Sequence, residues 1–529
     1  MRIVKVVSVT AVLTIVLGIF LFSPAHNRQM VNVAGDLRDA PNAGNALEQV
    51  GYDGNSDMDI PEPGNAARIS PAPDDRSKAV PKTREWTVMY YATTKDPLGH
   101  SFVRQLLEMK KTGSTDLVNV LVEASMRVKS DDGVISTPTV RMALKESASA
   151  AKIDEYISKV SEYRWWRNEP ISAAILKPFT ADIVKSEDSV DTGDWRRVAD
   201  FVRWAKAEYP AKRYAFLAYG HGQGFVDNKK PGGYSTPRGK GILRDVDTGN
   251  YVSISELNQL MAVIGKVDIL VMQSCLMQTA EVAYQMKGYA DVLVGSSEIM
   301  SSIGYDLGGI VETLDDNPGI SSRDLGVSLA KSYVHELKDI HGGGHASVLL
   351  MAKFPAFAGK LNAWVDAIIA LDDRAAVIAA GKQVIRFDIF GMTYYGPPEK
   401  KAHNYSISGD LYDFVRIITK GLSKDKPGSL LARQRGDELM DFIDNELVYK
   451  YVHTGSSRTG FDLSIAHGLS IHIPPITLLD KNMEDFNARF ETNYWDMPFA
   501  KETKWGAFLK WLYGSKSFNP NPAVQRNFH

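Results

Sequence analysis

The sequence predicts an α/β protein in which a mainly parallel sheet carries helices on both faces, with a mostly helical C-terminal extension behind it. Two observations predict this. From residue 86 to about 350, short apolar runs at Trp86–Ala92, Leu117–Val122, Tyr214–Tyr219, Val267–Met272 and Asp291–Gly295 alternate with helical patterns, and strand–helix alternation builds parallel sheets covered on both sides. Beyond about 350 the helical pattern dominates. In sheets of this kind ligands bind at the carboxyl ends of the strands.

Taken in order, Arg2 and Lys5 precede an apolar run from Val6 to Phe22, and Ser23-Pro24-Ala25 supplies small residues of the kind a signal peptidase reads. Residues 1–25 are therefore expected to be an export signal. The run falls short of the roughly 20 residues of a spanning helix, and an uncleaved N-terminal anchor is the alternative. Residues 26–82 hold one aromatic, Tyr52, among Pro, Gly, Asn, Asp and Ala, so they read as a flexible linker or pro-segment. Residues 83–352 are expected to form the sheet domain, with helices at Phe102–Lys111 and from Trp195 to just before Pro210, where apolar residues recur at helical spacing. Residues 353–529 read as the helix-rich domain, with helices at Pro355–Leu371, Asp373–Val384, Gly409–Lys420 and Ser429–Tyr449. A strand at Gly468–Ile473 and a helix at Lys504–Tyr513 close the chain.

Composition narrows the function. The chain is 44% hydrophobic and 23% charged, which excludes a wholly disordered, collagenous or multi-span membrane protein. Lys plus Arg is 61 against Asp plus Glu 63, so no basic field is present to gather phosphates, and a nucleic-acid partner is not expected. The single cysteine, Cys275, forms no internal disulfide and joins no Cys-rich metal site.

Two strand ends carry chemistry. Tyr214-Ala-Phe-Leu-Ala-Tyr runs into Gly220-His-Gly-Gln-Gly224, where His221 stands between two glycines that leave the imidazole open and permit a sharp turn. Val267-Asp-Ile-Leu-Val-Met runs into Gln273-Ser-Cys275, followed by helical pattern to Lys287, so the thiol is expected near a helix N-terminus, which favours thiolate. His341 and His467 also precede glycine, but neither follows a strand. An accessible imidazole and the only thiol at two strand ends point to nucleophilic catalysis.

These segments resemble the clostripain family of cysteine peptidases, related through a caspase-like core to caspases, gingipains and legumains. The resemblance is carried by Glu85–Tyr91, Pro210–Phe225, Gly241–Asp245, Asp268–Tyr284, Val294–Glu298, Gly468–Pro474 and Phe499–Trp505, in the family's order. It implies an endopeptidase acting on protein or peptide substrates, with Cys275 as nucleophile and His221 as general acid and base; with the export signal read from residues 1–25, an exported enzyme is expected. For the anionic intermediate the backbone N–H groups of Gly222 and Cys275 are the expected donors. No cofactor is required on this reading, and a membrane partner enters only through the N-terminal anchor. A non-catalytic surface-tethered binding protein on the same fold, or a transpeptidase using the same dyad, are the alternatives.

The chain departs from the family pattern at Gln273, where relatives that cut after Arg or Lys carry Asp, so a basic preference does not follow. Glu298 and Asp306, read as exposed loop carboxylates, are further candidates for the substrate pocket. The 227–240 stretch, turn-rich and cationic, reads as an exposed loop or a self-processing site. Asp245, Asp247 and Glu256 loosely echo a calcium loop, although Ser253-Ile-Ser-Glu256 is better explained as a capping box.

Overall fold

The computed structural model describes residues 82–162, 168–226, 241–337, 343–387, 393–394, 403–404, 407–456, 462–474 and 494–513. The expected export segment, the linker up to residue 81, the 227–240 loop and His341 lie outside the described residues.

Nine strands form the main sheet: β1 (Arg84–Thr94), β2 (Val118–Met126), β3 (Pro138–Ala143), β4 (Ile183–Asp188), β5 (Ala211–Tyr219), β6 (Val267–Gln273), β7 (Ala290–Gly295), β8 (His345–Leu350) and β9 (Val448–His453). Their order across the sheet is β9-β8-β7-β6-β5-β1-β2-β3-β4. The inner strands β7, β6, β5, β1 and β2 are all parallel, and an antiparallel pair borders them on each side. Five of the six runs that the sequence marks as strands are these parallel ones; the sixth, Gly468–Ile473, holds a short strand, Ser470–His472, outside the main sheet. From β1 the chain goes first to β2 on one side and later to β5 on the other. The crevice between the carboxyl ends of β1 and β5 is thus the switch point at which such sheets bind ligands.

The inner strands are buried on both faces because their side chains alternate between two cores. Met89, Tyr91, Phe216, Ala218, Leu270 and Met272 enter one cluster, and Val88, Tyr90, Leu217, Tyr219, Ile269 and Val271 the other. The first cluster continues into the helices of the last third of the chain, where the Trp364 and Trp505 rings stack with centroids 6.4 Å apart.

The expected helix over Ser429–Tyr449 is shorter in the structure. It ends at Phe442, passes through a π turn at Ile443–Leu447 and becomes the edge strand β9. The β-branched and aromatic residues of Val448-Tyr-Lys-Tyr-Val-His453 pair antiparallel with β8, a tertiary contact that outweighs the local helical spacing.

His345 opens β8, fully buried with the Phe387 and Tyr451 rings 5.2 Å away, and among the described residues neither ring nitrogen has a hydrogen-bond partner. Burial, then the neighbouring His453, pushes its pKa down from 6.5 to about 3. Between those two values the unfolded chain holds a proton that the folded chain lacks, so this residue makes stability fall as pH drops, by up to about 1.4 kcal/mol per pH unit. The His345→Leu variant is accordingly expected to gain on the wild type in urea midpoint as pH is lowered from 7 to 5. A difference independent of pH would show that the imidazole protonates freely in the fold.

Candidate active site

Three strand ends meet at the switch point. The register sets Ala92 of β1 beside Tyr219 of β5, and Tyr219 beside Gln273 of β6, so the chains leave the sheet at one level. His221 and Cys275 each follow two residues beyond that level. The two loops touch: a Cβ on Gly222 would lie 2.6 Å from the Cys275 carbonyl oxygen and 2.8 Å from Ser274 Cβ. On the other side a Cβ on Gly220 would lie 2.5 Å from Thr93 Oγ1. These two glycines are needed for close packing, and the positive φ of the turn falls on Gly224 (+61°).

The His221 side chain is 51% exposed, open enough to meet a ligand. Its Nε2 lies 2.7 Å from Oδ2 of Asp96, a residue that the sequence reading did not single out. Asp96 is held in turn, its Oδ1 accepting the Leu98 N–H at 3.0 Å and its carbonyl accepting that of Gly99 at 3.0 Å. A signal for it was present: Thr93-Thr-Lys-Asp-Pro97 is a polar run at the carboxyl end of the first strand, placed as His221 and Cys275 are on theirs.

Cys275 is half-buried, and its Sγ accepts the Met300 N–H at 3.3 Å. The expected helix start beside it is not found. Leu276 takes a left-handed φ of 65°, its N–H goes to the Glu298 carbonyl at 3.1 Å, and the helix Ala280–Gln285 begins only after the Thr279 cap. The sulfur therefore draws on the Met300 N–H rather than on a helix dipole. A left-handed leucine costs about 1–2 kcal/mol, strain of the kind that gathers at functional turns. The segment after the turn is held twice, as Ser470 of the late strand donates its N–H to the Gln278 carbonyl at 3.2 Å and the Gln278 amide donates to the Ser347 carbonyl of β8 at 3.0 Å.

The three pocket candidates separate. Gln273 is buried beside the Cys275 turn; its amide nitrogen donates to Gln105 Oε1 at 3.0 Å and to the Tyr90 hydroxyl at 3.3 Å, while its oxygen accepts the Tyr305 N–H at 3.3 Å. It braces the 301–305 loop. Glu298 is 1% exposed, which corrects its reading as an exposed carboxylate; its Oε1 accepts the Ile299 N–H and its carbonyl steadies Leu276. Asp306 is exposed, as expected, but its carboxylate caps the helix Leu307–Asp316 by accepting the Gly309 N–H at 3.0 Å. Asp306→Ala is expected to cost about 1 kcal/mol of stability, measured by denaturant titration, with unchanged turnover. A selective loss of activity instead would restore it to the pocket.

With this geometry in place, comparison with known proteins is decisive for the family: the model described as the clostripain family matches residues 176–511, more than half of the chain. The chain belongs to the clostripain family. Clostripain of Hathewaya histolytica is 26% identical to it over 259 residues, which are 46% of this chain and 44% of that relative's length. Among solved structures, a secreted C11 cysteine protease from Bacteroides thetaiotaomicron in complex with an irreversible peptide inhibitor superposes with a TM-score of 0.53 at 18% identity, covering 80% of this chain and 99% of that one. A structure of the secreted C11 cysteine protease "iotapain" from the same organism gives 0.51 at 15% identity, covering 80% and 100%. These likenesses bear on the fold, and the expected caspase-like sheet is what they share.

In this clostripain-family chain the calcium candidates Asp245, Asp247 and Glu256 are each engaged by groups of the protein. Asp245 is fully buried, and its carboxylate already receives the Lys95 ammonium at 2.8 Å and the Thr192 N–H and hydroxyl at 2.9 Å each. Asp247 lies 3.4 Å from the same ammonium, and Glu256 closes the capping box by accepting the Ser253 N–H at 2.9 Å. A lysine charge thus stands where a divalent cation would need two of these carboxylates, and the third serves its helix. Among the described residues no group of three His, Cys, Asp or Glu side chains converges elsewhere.

Proposed function

We propose that the protein is an exported cysteine endopeptidase, in which Cys275 attacks the peptide carbonyl and His221, oriented by Asp96, carries the protons. The observation that carries this is the meeting of an exposed imidazole and the chain's only thiol on adjacent parallel strands, level at Tyr219 and Gln273, with their loops in contact through Gly222. In the first step the thiol gives its proton to the His221 imidazole as the sulfur forms a C–S bond and the carbonyl oxygen takes the negative charge. Gly222 lies in the wide, non-bonded position of its bridge to Ile242, which leaves its N–H outside that ladder; with the Cys275 N–H it is the donor pair assigned to the oxyanion. As the intermediate collapses the C–N bond breaks and the imidazolium gives its proton to the departing amine. A water then attacks the thioester, losing its proton to the imidazole, and the C–S bond breaks as the imidazolium returns that proton to the sulfur, releasing the acid and restoring the thiol.

Substrates are proteins or peptides, met outside the cytoplasm if the N-terminal segment acts as read. Gln273 brings no charge to the wall beside the sulfur, so selectivity for the residue before the scissile bond is assigned to neutral contacts. The test is adduct mapping: the protein is treated with peptide acyloxymethyl ketones bearing Arg, Lys, Asp or Ala at the first position, and the product is sequenced by mass spectrometry. One adduct, on Cys275, is expected. Labelling at other residues only, or none with any of the four, would favour the binding protein on the same fold.

A further inference from the structure

Lys95 directly precedes Asp96, yet its side chain is only 3% exposed. Its ammonium meets Asp245 Oδ2 at 2.8 Å, Asp247 Oδ2 at 3.4 Å and the Val190 carbonyl at 3.0 Å. Asp245 sits on the arm that runs from Gly241 to Val252, and two residues before it Leu243 donates its N–H to the His221 carbonyl at 3.2 Å. The contacts close a ring: His221 imidazole to Asp96 carboxylate, along one peptide bond to Lys95, ammonium to Asp245, along the chain to Leu243, and back to the His221 backbone. Both ends of the histidine are thereby fixed through one buried ion pair. Such pairs are poor stabilisers, because removing two charges from water offsets most of their attraction and well-packed apolar replacements are often as stable. What a ring of this kind supplies is position. A carboxylate displaced by about 1 Å from its imidazole is enough to cost on the order of 10² in rate.

We infer that the Lys95–Asp245 pair is a positioning device that holds Asp96 against His221, so that it governs turnover and not only folding. This rests on the Cys275–His221 reading above. The test replaces both charges together, Lys95→Met with Asp245→Leu, which strands no lone charge in the interior, in wild type and in an Asp96→Asn background. The measurements are kcat and KM on one fluorogenic peptide, with urea melts as the control for folding. In the wild-type background kcat is expected to fall about tenfold or more with KM within about twofold, and in the Asp96→Asn background the same replacement is expected to cost less than about twofold. Equal losses in both backgrounds, or an unchanged kcat, would overturn the inference. Should the apolar pair melt below assay temperature, Lys95→Gln with Asp245→Asn gives the same comparison while keeping a hydrogen bond between the positions. Failure of the underlying reading shows separately, as activity that survives Cys275→Ala.

Discussion

Cys275→Ala is expected to lower peptide hydrolysis by about 10⁴–10⁶-fold while leaving the fold in place. The size follows from what remains. Without sulfur there is no covalent intermediate, and the only surviving contributions are substrate binding and the N–H donors at the turn, which in comparable enzymes retain about 10³–10⁴ over the uncatalysed reaction. Stability should change little, because the half-buried sulfur is replaced by a smaller apolar side chain and a sulfur is a weak acceptor for the Met300 N–H. The check is kcat/KM on a peptide substrate beside a thermal melt. A variant that folds normally and keeps a tenth of its activity would mean that the thiol is packing and that the chemistry lies elsewhere. Cys275→Ser is expected to fall nearly as far, since a hydroxyl at this position lacks the acidity that makes a thiol reactive without a strong base.

The parallel half of the fold was legible because its five strands are buried on both faces and read as uninterrupted apolar runs such as Val267–Met272. The bordering strands were not. Pro138–Ala143 and Ile183–Asp188 are short and partly exposed, and Val448–His453 is a strand only because β8 lies beside it. Local pattern carries no trace of that neighbour. The placement of His221 and Cys275 at neighbouring strand ends was legible because each follows an apolar run in sequence. The Cys275 turn was misjudged as a helix start because its geometry is fixed by Glu298 and Ser296 carbonyls some twenty residues on, contacts that spacing does not encode. Glu298 and Asp306 show the same limit from the other side. Two carboxylates eight positions apart on one loop differ completely, one buried beside the Cys275 turn and the other spent on a helix cap.

Asp96 is the residue for which structure adds most to the chemistry, and Asp96→Asn is expected to lower kcat by about 10²–10⁴-fold with KM changed little. The carboxylate accepts a hydrogen bond from Nε2–H at 2.7 Å, which selects the tautomer and leaves Nδ1 as the nitrogen that exchanges protons with thiol, amine and water. An asparagine of the same shape presents either an N–H, which reverses the tautomer, or a neutral oxygen, which supports the imidazolium far less as it gives its proton to the amine. In Ser–His–Asp enzymes the corresponding change costs about 10⁴ in kcat. The lower bound here is smaller because a thiol needs less help to ionise than a hydroxyl. Since Asp96 lies beside the reacting groups and not under the substrate's side chains, the loss belongs to turnover, and alkylation of Cys275 by a small neutral haloacetamide, which calls for no proton delivery to an amine, should slow much less than hydrolysis. The side chain's other contact, with the Leu98 N–H at the start of the helix Leu98–Thr112, is one that an asparagine oxygen can also accept, so the melt should stay within about 1 kcal/mol of wild type. A fall in kcat of less than about threefold in a normally folded variant would reduce the 2.7 Å contact to a surface ion pair and leave His221 to work unaided.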